Sequence, residues 1–300
     1  MSWIEIDDYD LQGWRAGVDM RERSAFYCEK LESGRVLFFE DIPFDLPEEH
    51  QDFLLSQRQT DSVFHKNISY RPKQKAIRGL SSSSDSNRLR EIMDHYSAEV
   101  TRFVSDLLAP YAGKLDLDFA SFRPLEEKGR DLKLKKRNDL LHVDSFPTRP
   151  TKGARILRVF TNINPTESRV WNIAESFDLL AERYALKADL PRFAGKTSNG
   201  FSRLLKNFGF ADHSAYDKFM LHFHDYLKAN DDFQANCDKV RLEFPPRSTW
   251  LVYTDGVPHA ALSGQFALEH TYIVPVGALV AANKAPISIL EAMCDQKLSI

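Results

Sequence analysis

Three hundred residues and 34.5 kDa leave room for two modest domains or one large one, and exclude a small module. Hydrophobic residues at 43% and charged residues at 28% are the proportions of a water-soluble core, which excludes a disordered chain, a fibre and a membrane bundle. A net charge of -3, from 40 basic and 43 acidic residues, speaks against a molecule built as a whole to hold nucleic acid.

Aromatic residues at 12% predict a sheet with helices packed on it. No repeat of fixed period is visible, and the only low-complexity tract is Ser81 to Ser84. In chain order, a strand is predicted at Arg35 to Phe39 and a short helix at Glu48 to Leu55. Beyond Ser84 or Asp85 as N-cap, Leu89, Ile92, Met93, Tyr96, Val100, Phe103, Val104, Leu107 and Leu108 follow the stripe of one helical face. Strands are predicted at Leu140 to Asp144 and Arg155 to Ile163, and helices at Glu175 to Leu186 and His213 to Lys228. Three more strands follow, at Ser248 to Thr254, Ala260 to Leu262 and His270 to Val276.

Charge and cysteine placement add two expectations. Between Lys128 and Arg158, ten basic residues stand against Asp131, Asp139 and Asp144, a local charge of +7 that leaves -10 elsewhere. Cys28, Cys237 and Cys294 are odd in number and lack CxxC spacing, so they suit a reducing compartment better than a disulfide framework or a zinc site. The acidic N-terminus has no apolar run, and no stretch reaches the roughly 18 residues that span a bilayer. The expectation is a cytoplasmic protein, peripheral at most on a membrane.

The chemistry begins at Leu140-Leu141-His142-Val143-Asp144. On a strand, residues two apart share a face, so the imidazole of His142 and the carboxylate of Asp144 project together. Oxygen-using enzymes commonly hold iron(II) with two histidines and one carboxylate, which leaves coordination positions open for co-substrate and dioxygen. A bare HxD is weak evidence, but this one sits on an otherwise apolar stretch where an unpaired carboxylate is costly. The second histidine is predicted to be His259, which follows the run Ser-Thr-Trp-Leu-Val-Tyr-Thr and the Asp255-Gly256 turn, 115 residues after Asp144. That separation suits a jelly-roll barrel with a helical insert between its middle strands.

The other histidines offer less. His222 and His224 are two apart on a predicted helix, cannot share a metal, and read as solvated residues flanking the apolar stripe. His50, His65, His95 and His213 have no partner at useful spacing, and His270 is left open as a residue that could face the cavity of His259.

The run LLHVDSFPTRPTKGARILRVFTNINPTESRVW, followed by TWLVYTDGVPHAALSGQFALEHTYIVP, resembles the 3-deoxy-D-manno-oct-2-ulosonic acid (Kdo) hydroxylases, bacterial iron(II)- and 2-oxoglutarate-dependent dioxygenases. The resemblance is close over about residues 120 to 277. It implies an α+β protein with a double-stranded β-helix (jelly-roll, cupin-like) core and flanking helices, and matches His142, Asp144 and His259 to the iron triad. It further implies oxidative decarboxylation of 2-oxoglutarate to succinate and carbon dioxide, coupled to hydroxylation at C3 of a Kdo residue of lipopolysaccharide to give Ko. One dioxygenase domain over 1–300 is expected: a lead-in at 1–115, a core at 116–280 with a helical insert at about 172–240, and a tail at 281–300.

The commonest superfamily pattern places an arginine about ten residues after the second histidine, against the distal carboxylate of 2-oxoglutarate, but Ser248 to Asn283 contains no Lys or Arg. Another strand must supply the cation. Arg155 and Arg158 are nearest in sequence and, three residues apart, point to opposite faces. Arg158, which shares parity with Phe160 and Asn162, is preferred; Arg155 is the reserve, and Asn162 is placed in the same cofactor set. The cluster Lys133, Lys135, Lys136 and Arg137 enters the HxD segment directly and is expected to meet the anionic groups of a Kdo-bearing lipid A precursor at the cytoplasmic face of the inner membrane. Two other readings compete: an oxygenase acting on protein or RNA, disfavoured because the basic stretch lacks aromatics for base stacking, and a non-catalytic metal-binding barrel.

Overall fold

The computed structural model describes residues 3–7, 9, 20–57, 67–79, 85–194 and 212–299, so the serine tract and His65 lie outside the described residues. A strand with no polar face needs cover on both sides. Thr249–Tyr253 is such a strand, with all five residues buried.

The strands are β1 (Trp3–Glu5), β2 (Val36–Phe39), β3 (Ile68–Arg71), β4 (Ala76–Arg78), β5 (Asp116–Arg123), β6 (Arg155–Asn162), β7 (Arg169–Ile173), β8 (Val240–Phe244), β9 (Thr249–Tyr253), β10 (His259–Ser263) and β11 (Ala267–Val274). A large sheet runs in the order β1-β2-β9-β6-β11-β5-β3-β4 and a small one in the order β10-β7-β8. Among the described residues only the β1/β2 pair is parallel.

Alternation along the large sheet sorts its side chains between two layers. Phe160 of β6 and Trp250 and Val252 of β9 point toward the small sheet and pack with Trp171, Ile173, Leu242 and Phe244, the filling of a jelly-roll core. Leu157, Val159, Leu251 and Tyr253 point the other way, onto α1 (Met20–Glu32) and α3 (Ser86–Leu107). Helix α3 carries the expected stripe, and Asp85 caps it by accepting from the amides of Asn87 at 3.1 Å and Arg88 at 3.0 Å. The short helix predicted near Glu48 is α2 (Glu48–Ser56).

Between β7 and β8 lie α4 (Phe177–Tyr184), α5 (Leu190–Phe193), α6 (Ala215–Ala229) and α7 (Asp231–Asn236). With α8 (Pro286–Cys294) they bury a further cluster that includes Leu141, Val143 and Ala260. The C-terminal stretch, read from the sequence as a tail, therefore carries a helix whose Pro286, Ile287 and Leu290 are buried. Among the described residues no helix is long and apolar enough to cross a membrane.

Two expectations about strands need correction. Leu140 to Asp144 is not a strand: it is extended chain joined to β10 by a single bridge pair, His142 with His259. The turn at Asp255-Gly256 exists, but β9 and β10 belong to different sheets, so it carries the chain across the sandwich instead of closing a hairpin. A Cβ on Gly256 would lie 2.5 Å from Arg155 Nη2, so a larger residue there would have to displace that guanidinium.

Candidate metal centre

The extended segment before Asp144 reaches the cavity because its backbone is held by β10. His142 and His259 exchange amide-to-carbonyl bonds of 3.2 and 3.0 Å, and the Asp144 amide donates to the carbonyl of Thr254 at 2.8 Å. Alternation then survives without a strand. Leu141 and Val143 enter the helical cluster, while His142 and Asp144 face the space between the sheets.

There the three predicted residues converge. His142 Nε2 lies 3.8 Å from Asp144 Oδ1, and His259 Nε2 lies 3.9 Å from Asp144 Oδ2. Their ligand atoms all fall within 4.8 Å of one another, the one such group among the described residues.

Hydrogen bonding sets both tautomers. His142 Nδ1 is 2.7 Å from the carbonyl of Leu140 and His259 Nδ1 is 2.9 Å from that of Val257; a carbonyl only accepts, so both Nδ1 atoms carry the proton. Burial lowers the pKa of both rings, His142 well below the usual value with His259 adding to the effect, so both are neutral at pH 7. Burial alone would raise the Asp144 carboxyl, but the Arg158 guanidinium beside it holds it well below the usual carboxylate range. Two inward lone pairs and an ionised carboxylate therefore face one another, and buried Asp144 Oδ2 has no hydrogen-bond donor among the described residues. Acceptors opposed in this way suit a shared cation, and the set of two imidazoles and one carboxylate suits iron(II).

The remainder of the wall is rich in arginine. Arg123, Arg158 and Arg169 line the cavity together with Asn138, Phe160 and Trp171. Arg158 Nε is 3.3 Å from Asp144 Oδ2, and its Nη1 is 3.3 Å from Glu269 Oε1. Glu269 also accepts from Arg123, and although burial alone would raise its pKa, Arg123 and Arg158 bring it down to about 2. Arg169 donates to the carbonyl of Gly264 at 2.9 Å and to Glu127 at 3.3 Å. Its Nε is buried without a hydrogen-bond partner among the described residues, as is Trp171 Nε1.

Parity placed Arg158 and Arg155 correctly on opposite faces, but the reserve role for Arg155 fails. Arg155 is 1% exposed, bonded through Nε to Asp255 at 2.8 Å and stacked over Tyr253 at 4.1 Å, outside the triad cavity. Asn162 also leaves the cofactor set: its amide donates to the carbonyls of Glu167, Phe244 and Pro245 and its oxygen accepts from the Asn164 amide, so it organises a turn. His270 faces α3, 2.8 Å from Ser97 Oγ, not the cavity. His224, read as solvated, is half-buried with its ring edge against His142 at 5.0 Å. Of the basic cluster, Lys135 pairs with Asp225 at 2.5 Å and Arg137 with Asp139 at 2.6 Å, while Lys133 is exposed.

Arg123 and Arg169 escaped the sequence reading. The missing basic residue after His259 called for a wider survey of arginines, but the strands that Arg123 ends and Arg169 opens were themselves not predicted.

A family model described as 3-deoxy-D-manno-oct-2-ulosonic acid (Kdo) hydroxylase matches residues 15–297. Among curated proteins none matches the chain. Crystal structures of the Kdo hydroxylase KdoO, a non-heme Fe(II) α-ketoglutarate-dependent dioxygenase, are similar throughout. Its complex with α-ketoglutarate and Fe(III) is 36% identical, covers 99% of this chain and 97% of that one, and superposes with a TM-score of 0.85. The cobalt(II) complex gives 36% identity, 100% and 98% coverage and a TM-score of 0.86. The complex with succinate and Fe(III) gives 35%, 100% and 98%, and 0.84. With the family model spanning nearly the whole sequence and the solved relatives agreeing in fold from end to end, this chain belongs to the Kdo hydroxylase family of iron(II)- and 2-oxoglutarate-dependent dioxygenases.

Proposed function

We propose that the chain hydroxylates C3 of a Kdo residue carried on a lipid A precursor, giving Ko, with His142, Asp144 and His259 as the iron ligands. The observation that carries the ligand assignment is the pair of imidazoles held by carbonyls with their Nε2 lone pairs turned onto Asp144. Iron(II) and 2-oxoglutarate supply the oxidative decarboxylation, in which one atom of dioxygen enters succinate and the other the C–H bond.

The protein's own residues do the rest. The carbonyls of Leu140 and Val257 hold the two imidazoles in the metal-binding tautomer. Arg158 keeps Asp144 ionised and, with Arg123 and Arg169, receives the distal carboxylate of 2-oxoglutarate; the unpartnered N–H groups of Arg169 and Trp171 are buried donors suited to an oxygen-rich ligand. Charge supports the assignment. Arg123, Arg158, Arg169 and, behind them, Arg130 stand against Asp144, Glu127 and Glu269, which leaves the wall one positive charge in excess, a setting that favours an anionic ligand. Phe160 and Trp171 supply apolar wall that limits water.

For the acceptor, the exposed turn Leu134–Lys136, with Lys133 before it and Leu134 itself 45% exposed, suits the anionic surface on which lipid A lies, at the cytoplasmic face of the inner membrane. The test is mass spectrometry of Kdo-bearing lipid A after incubation with enzyme, iron(II) and 2-oxoglutarate. A gain of one oxygen on the sugar is expected. Its absence while succinate still forms with a protein or RNA acceptor would transfer the activity to that substrate.

A further inference from the structure

The segment that carries His142 behaves as a strand without being in a sheet, so its second edge needs an explanation. One edge is covered by β10: beyond the His142/His259 exchange, the Ala261 amide donates to the carbonyl of Asn138 at 2.8 Å. Among the described residues the other edge meets no strand. It meets one side chain, Gln234 of α7.

Gln234 bonds the backbone of Leu141 as a neighbouring strand would. Its Oε1 accepts from the Leu141 amide at 3.0 Å and its Nε2 donates to the Leu141 carbonyl at 2.9 Å. Nε2 also donates to the carbonyl of Leu227 at 2.8 Å, near the end of α6, which ties the amide to a second element. The helix presenting it is itself anchored. Asn230 caps α7 by accepting from the Phe233 amide at 3.0 Å, and Phe233 is fully buried against Tyr184. A primary amide is the one side chain that can offer an acceptor and donors together at this position.

We infer that Gln234 is a positioning residue for the metal centre, a one-residue substitute for a β-strand that fixes the backbone at Leu141 and so aims the imidazole of His142. The inference rests on the ligand assignment above. Because Leu141 precedes His142 directly and its side chain is held in the helical cluster, freedom at Leu141 becomes rotation of the His142 ring away from Asp144.

The probe is cobalt(II) alone, titrated into metal-free protein by its visible absorption and by calorimetry, with the melting midpoint of each sample recorded separately. Gln234→Met removes all three bonds at similar size, and Gln234→Glu keeps the shape but sets a carboxylate against two carbonyls. Each is expected to weaken cobalt binding on the order of ten- to a hundredfold, the usual consequence of losing a group that orients a ligand. A folded variant that keeps the wild-type dissociation constant would overturn the role. Should Gln234→Met fail to fold, Gln234→Glu decides, and so does hydrogen exchange in the metal-free wild-type protein. There the Leu141 amide is expected to be protected like those of β10, and exchange at the rate of an open chain would overturn the clamp by itself. If wild-type protein takes up no cobalt, the ligand assignment falls and the clamp with it.

Discussion

The two faces of the large sheet are made from the same strands and obey opposite rules. On β11, Glu269 turns inward to Arg123 and Arg158, while the next residue, His270, turns outward to Ser97 on α3. On β6, Arg158 turns inward beside Asp144, whereas Arg155 is locked against Asp255. Among the described residues both faces bury polar atoms without partners, but those of the inner face, such as Asp144 Oδ2 and Arg169 Nε, surround the cavity of the triad, whereas those of the outer face, such as the hydroxyls of Tyr96 and Tyr253, sit in mostly apolar packing. The difference teaches where stability and chemistry were separated. A group held ready for a ligand costs folding energy, and a sheet covered on both faces can bear that cost on one of them.

The comparison can be broken most severely at the inner face. His142→Ala or His259→Ala is expected to abolish tight iron binding while leaving the melting transition nearly unchanged, since neither side chain belongs to an apolar cluster. Full iron stoichiometry in either variant would remove it from the ligand set.

Arg155→Ala is expected to do the reverse. It strands the buried carboxylate of Asp255 and should cost about 3–5 kcal/mol of stability, read by denaturant unfolding, with the Michaelis constant for 2-oxoglutarate unchanged in the folded fraction. A raised constant with unchanged stability would show that the two faces are not separate.

His270 gives the outer face a pH signature. Burial lowers its pKa from 6.5 to about 4. The unfolded chain therefore binds the proton first, and stability present above about pH 6.5 should drain away as pH falls toward 4, by about 3 kcal/mol from this group. His270→Gln should flatten the dependence of melting temperature on pH over that window; equal slopes in the two proteins would assign the acid loss elsewhere.

A further inner-face test concerns the co-substrate. Arg158→Ala and Arg169→Ala are each expected to raise the Michaelis constant for 2-oxoglutarate roughly a hundredfold, about 2.7 kcal/mol, for loss of a charge-assisted contact in a closed site. If only one of them responds, that residue alone anchors the distal carboxylate. The smallest effect is expected at the rim, where replacing Lys133, Lys135, Lys136 and Arg137 by Gln should weaken binding to anionic vesicles several-fold and spare iron, because Lys135 and Arg137 already have acidic partners. Vesicle binding that ignores salt and these changes would move the docking surface elsewhere.

Much of this was legible in the chain. A 3.6-residue stripe and an Asp cap define α3, runs rich in β-branched, aromatic and other apolar residues define β6 and β9, and two-residue alternation puts His142 with Asp144 and separates Arg158 from Arg155. These are local properties, decided by the geometry of a few consecutive residues. The strands β5, β7 and β8 were not legible, because charged residues interrupt β5 and β8 and β7 is a short run opened by Arg169; Glu269, 146 residues from Arg123, and Glu127, 42 residues from Arg169, help to hold those two arginines inside.

The sequence by itself thus determined which residue types could grip a metal and which of them share a face. Only the tertiary structure decided that the HxD segment is not a strand, that Arg155 and Asn162 serve the scaffold, that His224 abuts His142, and that Gln234 closes the open edge. The physical reason is the same in each case: the partner that satisfies a buried polar group is chosen by proximity in space, and the pairs here lie from about 80 to 150 residues apart along the chain.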